Sequence, residues 1–259
     1  MKKLGIILVI LLAFPFSSSA VITTAHLTGG TTTSTVATSI TTSSTTPTAN
    51  ALVILTIGVT DDAFTIPTVT GNGMTWVVMA TSTATASYRF YSFRSLSASP
   101  SAGAIQADWG ANNQSRVIWM LDEFIGVDTS GSNGSGAVVQ TSSTFVDSGG
   151  TQFPKVVLQT FATSGNAAFG AIIGADQTLD TAITPGTQLT EISELEWATS
   201  DINMQTEWSS STPSTSTVDW QFNQTLDGAA GIAIEIQQAP TATVAVATLR
   251  RRSSSIFVE

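Results

Sequence analysis

Apolar and polar residues alternate with a period of two along most of this 259-residue chain, and no window keeps apolar residues at helical spacing for three turns. That pattern predicts strands throughout. The expected strands cover residues 51–60, 74–80, 86–94, 104–109, 114–124, 155–163, 167–174, 195–206, 217–222 and 229–237. Between them stand the residues that tight reversals need: Asp61-Asp62, Gly71-Asn72-Gly73, Ser99-Pro100-Ser101, the run from Ser130 to Gly134, Ser148-Gly149-Gly150, Pro185-Gly186 and Thr212-Pro213. Many short strands at near-regular spacing predict an all-β fold, a two-sheet antiparallel β-sandwich of the jelly-roll or immunoglobulin-like kind.

Alternate residues of a strand share a face, so the pattern also predicts what is buried. Met74, Trp76 and Val78 share one face and Thr75, Val77 and Met79 the other. In the next strand Tyr88 and Phe90 point one way, and Tyr91 and Phe93 the other beside Arg89. A sugar platform needs rings open to water, whereas strands apolar on both sides bury theirs, so Trp76 and Phe90 are expected in the core. Arg89, Tyr91 and Arg94 are the candidate exposed patch for a ligand or partner. Val117 to Leu121 is apolar on both faces and puts Trp119 inside. Val218, Trp220 and Phe222, like Ile232, Ile234 and Ile236, alternate with other residues as in half-buried strands, which turns Glu235 outward.

The ends read differently. Lys2 and Lys3, the apolar run from Leu4 to Phe16 and the Ser18-Ser19-Ala20 close predict a secretory signal peptide over residues 1–20. The run is shorter than the roughly 20 residues of a spanning helix. Residues 21–49 form a Thr/Ser-dense lead-in. It is either a polar first strand over Thr35 to Ile40 or a flexible stalk. The sandwich domain is expected over residues 50–238. In the tail, residues 239–259, the apolar part from Val244 to Leu249 is too short to span a membrane, and Arg250, Arg251 and Arg252 are candidates for an assembly contact. An exported protein at a cell surface or outside the cell is the expectation.

Composition narrows the chemistry. With no cysteine, neither disulfides nor thiolate metal sites can hold an exported chain together, so stability must come from a core. The formal charge of −9 becomes −11 without Lys2 and Lys3, and between Val21 and Leu249 only Arg89, Arg94, Arg116 and Lys155 are basic. Nucleic acid is an unsuitable partner for such a chain. His26, the single histidine, lies in the lead-in and reads as bland, which removes histidine triads, metal clusters and acid/base pairs. Lys155 has no Ser-x-x-Lys spacing for Ser/Lys catalysis.

Paired carboxylates are the surviving catalytic option. Glu194 and Glu196 share a face beside Trp197, which resembles the alternating carboxylates of concanavalin-like jelly-roll glucanases and lectins. The intervening aspartate of that family is absent, and strict alternation puts Glu191 on the opposite face. Inward Leu195 and Trp197 already explain outward glutamates, so no catalytic residue, metal or cofactor is assigned. Asp61-Asp62 and the loop from Asp128 to Gly136 are oxygen-rich, but they lack the glycine and closing glutamate of a calcium loop and read as turns. Asn113-Gln114-Ser115, Asn133-Gly134-Ser135 and Asn223-Gln224-Thr225 are formal glycosylation sequons.

The segments TPTANALVILTIGV, TVTGNGMTW, YRFYSFRSL with SASPSAG, RVIWMLDEFIGVDTS and GAAGIAIEIQQA, in that order, resemble secreted and phage-borne β-sandwich surface domains of uncertain function. The likeness covers roughly residues 31–238 and transfers no site residues. The signal peptide favours a surface protein over a phage tail. The resulting expectation is a secreted, non-enzymatic structural or adhesive surface protein able to self-assemble as an oligomer, filament or matrix. The alternative is a carbohydrate-binding module with a glycan partner, followed by a jelly-roll glycosidase.

Overall fold

A computed structural model describes residues 20–32, 36–60, 65–83, 88–146, 153–175, 182–197, 202–210, 212–223, 226 and 228–241. Residues 1–19, expected as the signal peptide, and Asp61-Asp62, Ser148-Gly149-Gly150 and the arginine tail lie outside them. The described residues form an all-β sandwich, and among them no helix is long and apolar enough to cross a membrane.

The first eight strands are β1 (Thr23–Thr31), β2 (Ser39–Thr41), β3 (Leu52–Thr60), β4 (Thr68–Gly71), β5 (Val77–Thr83), β6 (Tyr88–Leu96), β7 (Ile105–Asp108) and β8 (Ser115–Ile125). They make a five-stranded sheet in the order β1-β8-β3-β6-β5 and a three-stranded sheet in the order β2-β7-β4. The last eight are β9 (Val138–Val146), β10 (Lys155–Val157), β11 (Ala167–Ala175), β12 (Thr184–Pro185), β13 (Thr190–Trp197), β14 (Ile202–Trp208), β15 (Thr217–Gln221) and β16 (Gly228–Ile236). Their sheets run β9-β16-β11-β14-β13 and β10-β15-β12. Adding eight to each strand number of the first half reproduces the second. In each half the first strand lies beside the eighth, the second beside the seventh and the third beside the sixth, which is a jelly-roll winding and decides against the immunoglobulin-like alternative. The fifth strand leaves the fourth and joins the edge of the large sheet.

The two large sheets stack face to face, and each small sheet covers an outer face, so four layers enclose three apolar cores. In the central core Ile54, Phe90, Met120 and Phe124 meet Phe169, Ile173, Met204 and Ile232. Phe124 and Phe169 pack edge to face at 5.5 Å, a geometry worth about 0.5–1.5 kcal/mol beyond its buried area. The outer cores hold Leu55, Tyr91, Trp109 and Trp119 in the first half, and Val156, Ile172, Trp220 and Phe222 in the second.

The outer cores divide their volume differently. In the first half the large sheet supplies the bulk through Leu55, Tyr91, Phe93 and Trp119. In the second the large sheet is thinned by glycine and alanine, and the small sheet fills the space. A Cβ on Gly170 would sit 2.5 Å from Val218 and 2.8 Å from Trp220, and one on Gly174 would sit 2.7 Å from Phe222. Complementary volumes keep both layers at interior density.

Several expectations change. The lead-in supplies two strands to the chain's own fold: β1 pairs with β8, and β2 pairs with β7. The segment read as one strand over 195–206 is the antiparallel pair β13 and β14; the polar residues Thr199, Ser200 and Asp201 lie inside that run. β16 is buried along its whole length, Glu235 included, because a fourth layer covers the face that alternation turned toward water.

Candidate functional site

The arginine and tyrosine patch does not form. On β6, Arg89 and Tyr91 project to the face opposite Arg94, as the pleat requires. Tyr91 is fully buried in the first outer core, and its hydroxyl donates to the Thr65 carbonyl at 3.0 Å. Arg89 is half-buried and donates to the Tyr88 carbonyl at 3.1 Å. Trp76 packs against the same core, while Phe90 lies in the central one.

The glutamates are arranged differently from strict alternation. A bulge between Glu191 and Ser193 shifts the register of β13 against β14, so Glu191 pairs with Glu207 while Glu194 pairs with Gln205. All three of Glu191, Glu194 and Glu196 therefore lie on the outer face. There the chain entering β12 is clamped by side chains. The Ile183 amide donates to Glu194 at 2.9 Å, the Ile183 carbonyl accepts from the Gln205 amide, and the Gly186 amide donates to Glu207 at 2.9 Å. Gln205 also donates to Glu191 at 3.3 Å.

Gln205 and Glu207 occupy the places that Tyr91 and Phe93 fill in the first half, so a polar clamp replaces an aromatic pair. Burial pushes the Glu207 carboxyl up to about 8, against the Gly186 hydrogen bond and with the charge of Asp219 adding to the rise. Burial also raises Glu194, opposed by its bond from Ile183 and reinforced by the neighbouring Glu191 and Glu196. Glu194 and Glu207 each give one carboxylate oxygen to holding this segment, and the second Glu207 oxygen, Oε1, is buried without a hydrogen-bond partner among the described residues. Glu196 alone of the three is exposed without a clamp role.

His26 is neither isolated nor part of a stalk. It sits on β1 opposite Asp122 of β8, and its Nδ1 lies 2.8 Å from the Asp122 carboxylate. Asp122 is fully buried between the large sheets, and its pKa is raised by that burial, against the hydrogen bond and charge of His26 and the hydroxyl of Thr206 from the other half. Among the described residues no group of three or more histidine and carboxylate side chains is arranged to hold a metal ion. In the loop after β8, Asp128 accepts the Ser130 amide at 2.7 Å, an Asx turn.

No family model, curated protein or solved structure matches the chain.

Two surface features were not foreseen from the sequence. One is a pair of equivalent open grooves where the first two strands of each half diverge. The groove between β1 and β2 measures about 290 Å³ and has Trp119 in its wall; the groove between β9 and β10 measures about 550 Å³ and is lined by Ser142, Thr144, Phe153, Lys155 and Val157. The other is the pair of sheet edges. At one end of the body β5 and β9 lie against each other, joined by bonds from Ser82 to the Thr144 carbonyl at 2.9 Å and from Ser143 to the Thr81 carbonyl at 3.5 Å. At the other end β1 and β13 are the last strands of their sheets. The signal for the β5/β9 edge was present in the sequence as two runs free of charge, VVMATST and VVQTSSTFV.

Proposed function

We propose that the protein is an exported, non-enzymatic structural or adhesive surface component that assembles with copies of itself. The observation that carries this reading is the edge arrangement: two stacked five-stranded sheets stop at both ends of the body on strands with no further partner in their sheet among the described residues. Such strands present main-chain donors and acceptors to any extended chain. The clamp roles of Glu194, Gln205 and Glu207 support a non-enzymatic role, since each gives a polar atom to holding the β12 segment. Export rests on the lysine-flanked apolar run that ends at Ala20.

The test combines intact mass with light scattering on the exported protein over a range of concentration and salt. A product beginning at Val21 with a solution mass of two or more chains is expected. A chain starting at Met1 overturns export, and a monomer under every condition overturns assembly. A second reading, the glycan-binding module, is favoured by the β9/β10 groove, where Phe153 is 56 % exposed beside serine and threonine hydroxyls and Lys155. Binding to a glycan array that is lost in Phe153→Ala would favour it.

A further inference from the structure

We infer that the β5/β9 end pairs with the same end of a second copy, forming a twofold dimer in which both five-stranded sheets continue as ten-stranded antiparallel sheets. The inference rests on the assembly reading and names its surface. Every neighbouring pair within the two large sheets is antiparallel. A twofold axis perpendicular to the stacked sheets sets β9 antiparallel to β9 and β5 antiparallel to β5, the better ladder geometry. A single isologous contact of this kind closes.

Charge selects this end over the other. Neither β5 nor β9 carries a charged residue, whereas β13 carries Glu191, Glu194 and Glu196. Two β13 edges brought together would oppose like charges, and a charged edge strand is a known device against pairing. In a chain of formal charge −9 the copies repel, and a neutral edge is where that repulsion is least.

The side chains fit the same symmetry. Val139 is the residue skipped in the register between β9 and β16, and it is 40 % exposed; Phe145, near the other end of β9, is 37 % exposed. Antiparallel pairing of β9 centred on Ser142 sets Val139 of each copy opposite Phe145 of the other. Both are large apolar side chains in contact with water in the single chain, and β-branched against aromatic is a favourable cross-strand pair. On the β5 side of the contact Val78 is likewise exposed.

Because Ser142 lies on the axis and the chain has no cysteine, Ser142→Cys is a direct test. Directly opposed residues in an antiparallel ladder have Cα atoms about 4.5–5.5 Å apart, within the range a disulfide spans. Mild oxidation of full-length exported protein should link Ser142→Cys into a covalent dimer, while Glu196→Cys on the opposite edge stays unlinked. Val139→Lys and Phe145→Glu should each weaken dimerisation about tenfold or more, because each change acts twice per dimer. The double variant should restore it, since the introduced lysine then faces the introduced glutamate in both copies. An associated parent in which Ser142→Cys stays unlinked, or links no better than Glu196→Cys, overturns this surface and leaves assembly standing. A monomeric parent overturns both.

Discussion

Replacing Glu207 by glutamine tests the most unusual substitution between the two halves, a buried acid standing where the first half has Phe93. The carboxyl is fully buried, accepts the Gly186 amide, and has its pKa raised from an ordinary 4.5 to about 8. A group with a raised folded-state pKa contributes its full stability below the unfolded value and loses it as pH rises through the folded value. Between pH 4.5 and 8 the folded chain therefore holds a proton that the unfolded chain releases, and stability falls across that window. At 1.36 kcal/mol per unit the 4.5-to-8 interval corresponds to about 5 kcal/mol, with about 3 kcal/mol already lost at pH 7. Glutamine keeps an oxygen for Gly186 and cannot ionise. Urea unfolding from pH 5 to 9, followed by tryptophan fluorescence, should show the parent weakening by several kcal/mol and Glu207→Gln weakening by about 3–5 kcal/mol less. Parallel curves for the two proteins would refute the assignment of a neutral buried acid to this site.

Other outcomes follow from the same contacts. Glu235→Ala strands three donors, Ala162 N, Asn166 Nδ2 and Gln140 Nε2, and should cost about 3 kcal/mol or more in unfolding measurements. Glutamine at Glu191, Glu194 or Glu196 should leave polysaccharide hydrolysis unchanged from a parent that shows none. Vigorous hydrolysis by the parent, abolished in one variant, would make β13 an active site.

Elements with a strong apolar pattern, alternating or continuous, were legible in the sequence: β3, β6, β8, β11 and β15 lie within a residue or two of their expected bounds. Those built from threonine and serine were not. β1 reads TTAHLTGGT and β9 VVQTSSTFV, edge strands packed on one side only, where hydroxyl side chains serve as well as aliphatic ones. Period-two reasoning then went wrong for Glu235 and Glu191 for different reasons. Glu235 alternates as a solvent-facing residue should, yet a small sheet lies over that face and the carboxylate is drawn into three hydrogen bonds. Glu191 changes face because one bulge adds a residue, and a one-residue slip inverts every side chain beyond it. Pairing depends on partners distant in the chain, so neither event has a local signature.

The duplicated winding also bears on why association should stop at two copies. By the eight-strand correspondence β1 matches β9 and β5 matches β13, so the β1/β13 end is the counterpart of the β5/β9 end. A body with two equally adhesive ends adds copies without limit, since contacts at both ends propagate into a filament. Here the two ends have diverged. All four edge strands carry a register shift, but β13 carries three glutamates and β1 the pair Gly29-Gly30, whereas β5 and β9 have neither charge nor glycine. With one end made repulsive, pairing through the other consumes the open edge and ends in a closed dimer. The corresponding expectation is that Glu191→Thr, Glu194→Thr and Glu196→Thr combined, by neutralising β13, convert a dimer of defined mass into larger species whose light scattering rises with concentration. An unchanged dimer mass in that variant, once its unfolding shows the β12 clamp still holds, would mean that the Gly29-Gly30 pair of β1, rather than charge, keeps the β1/β13 end from pairing.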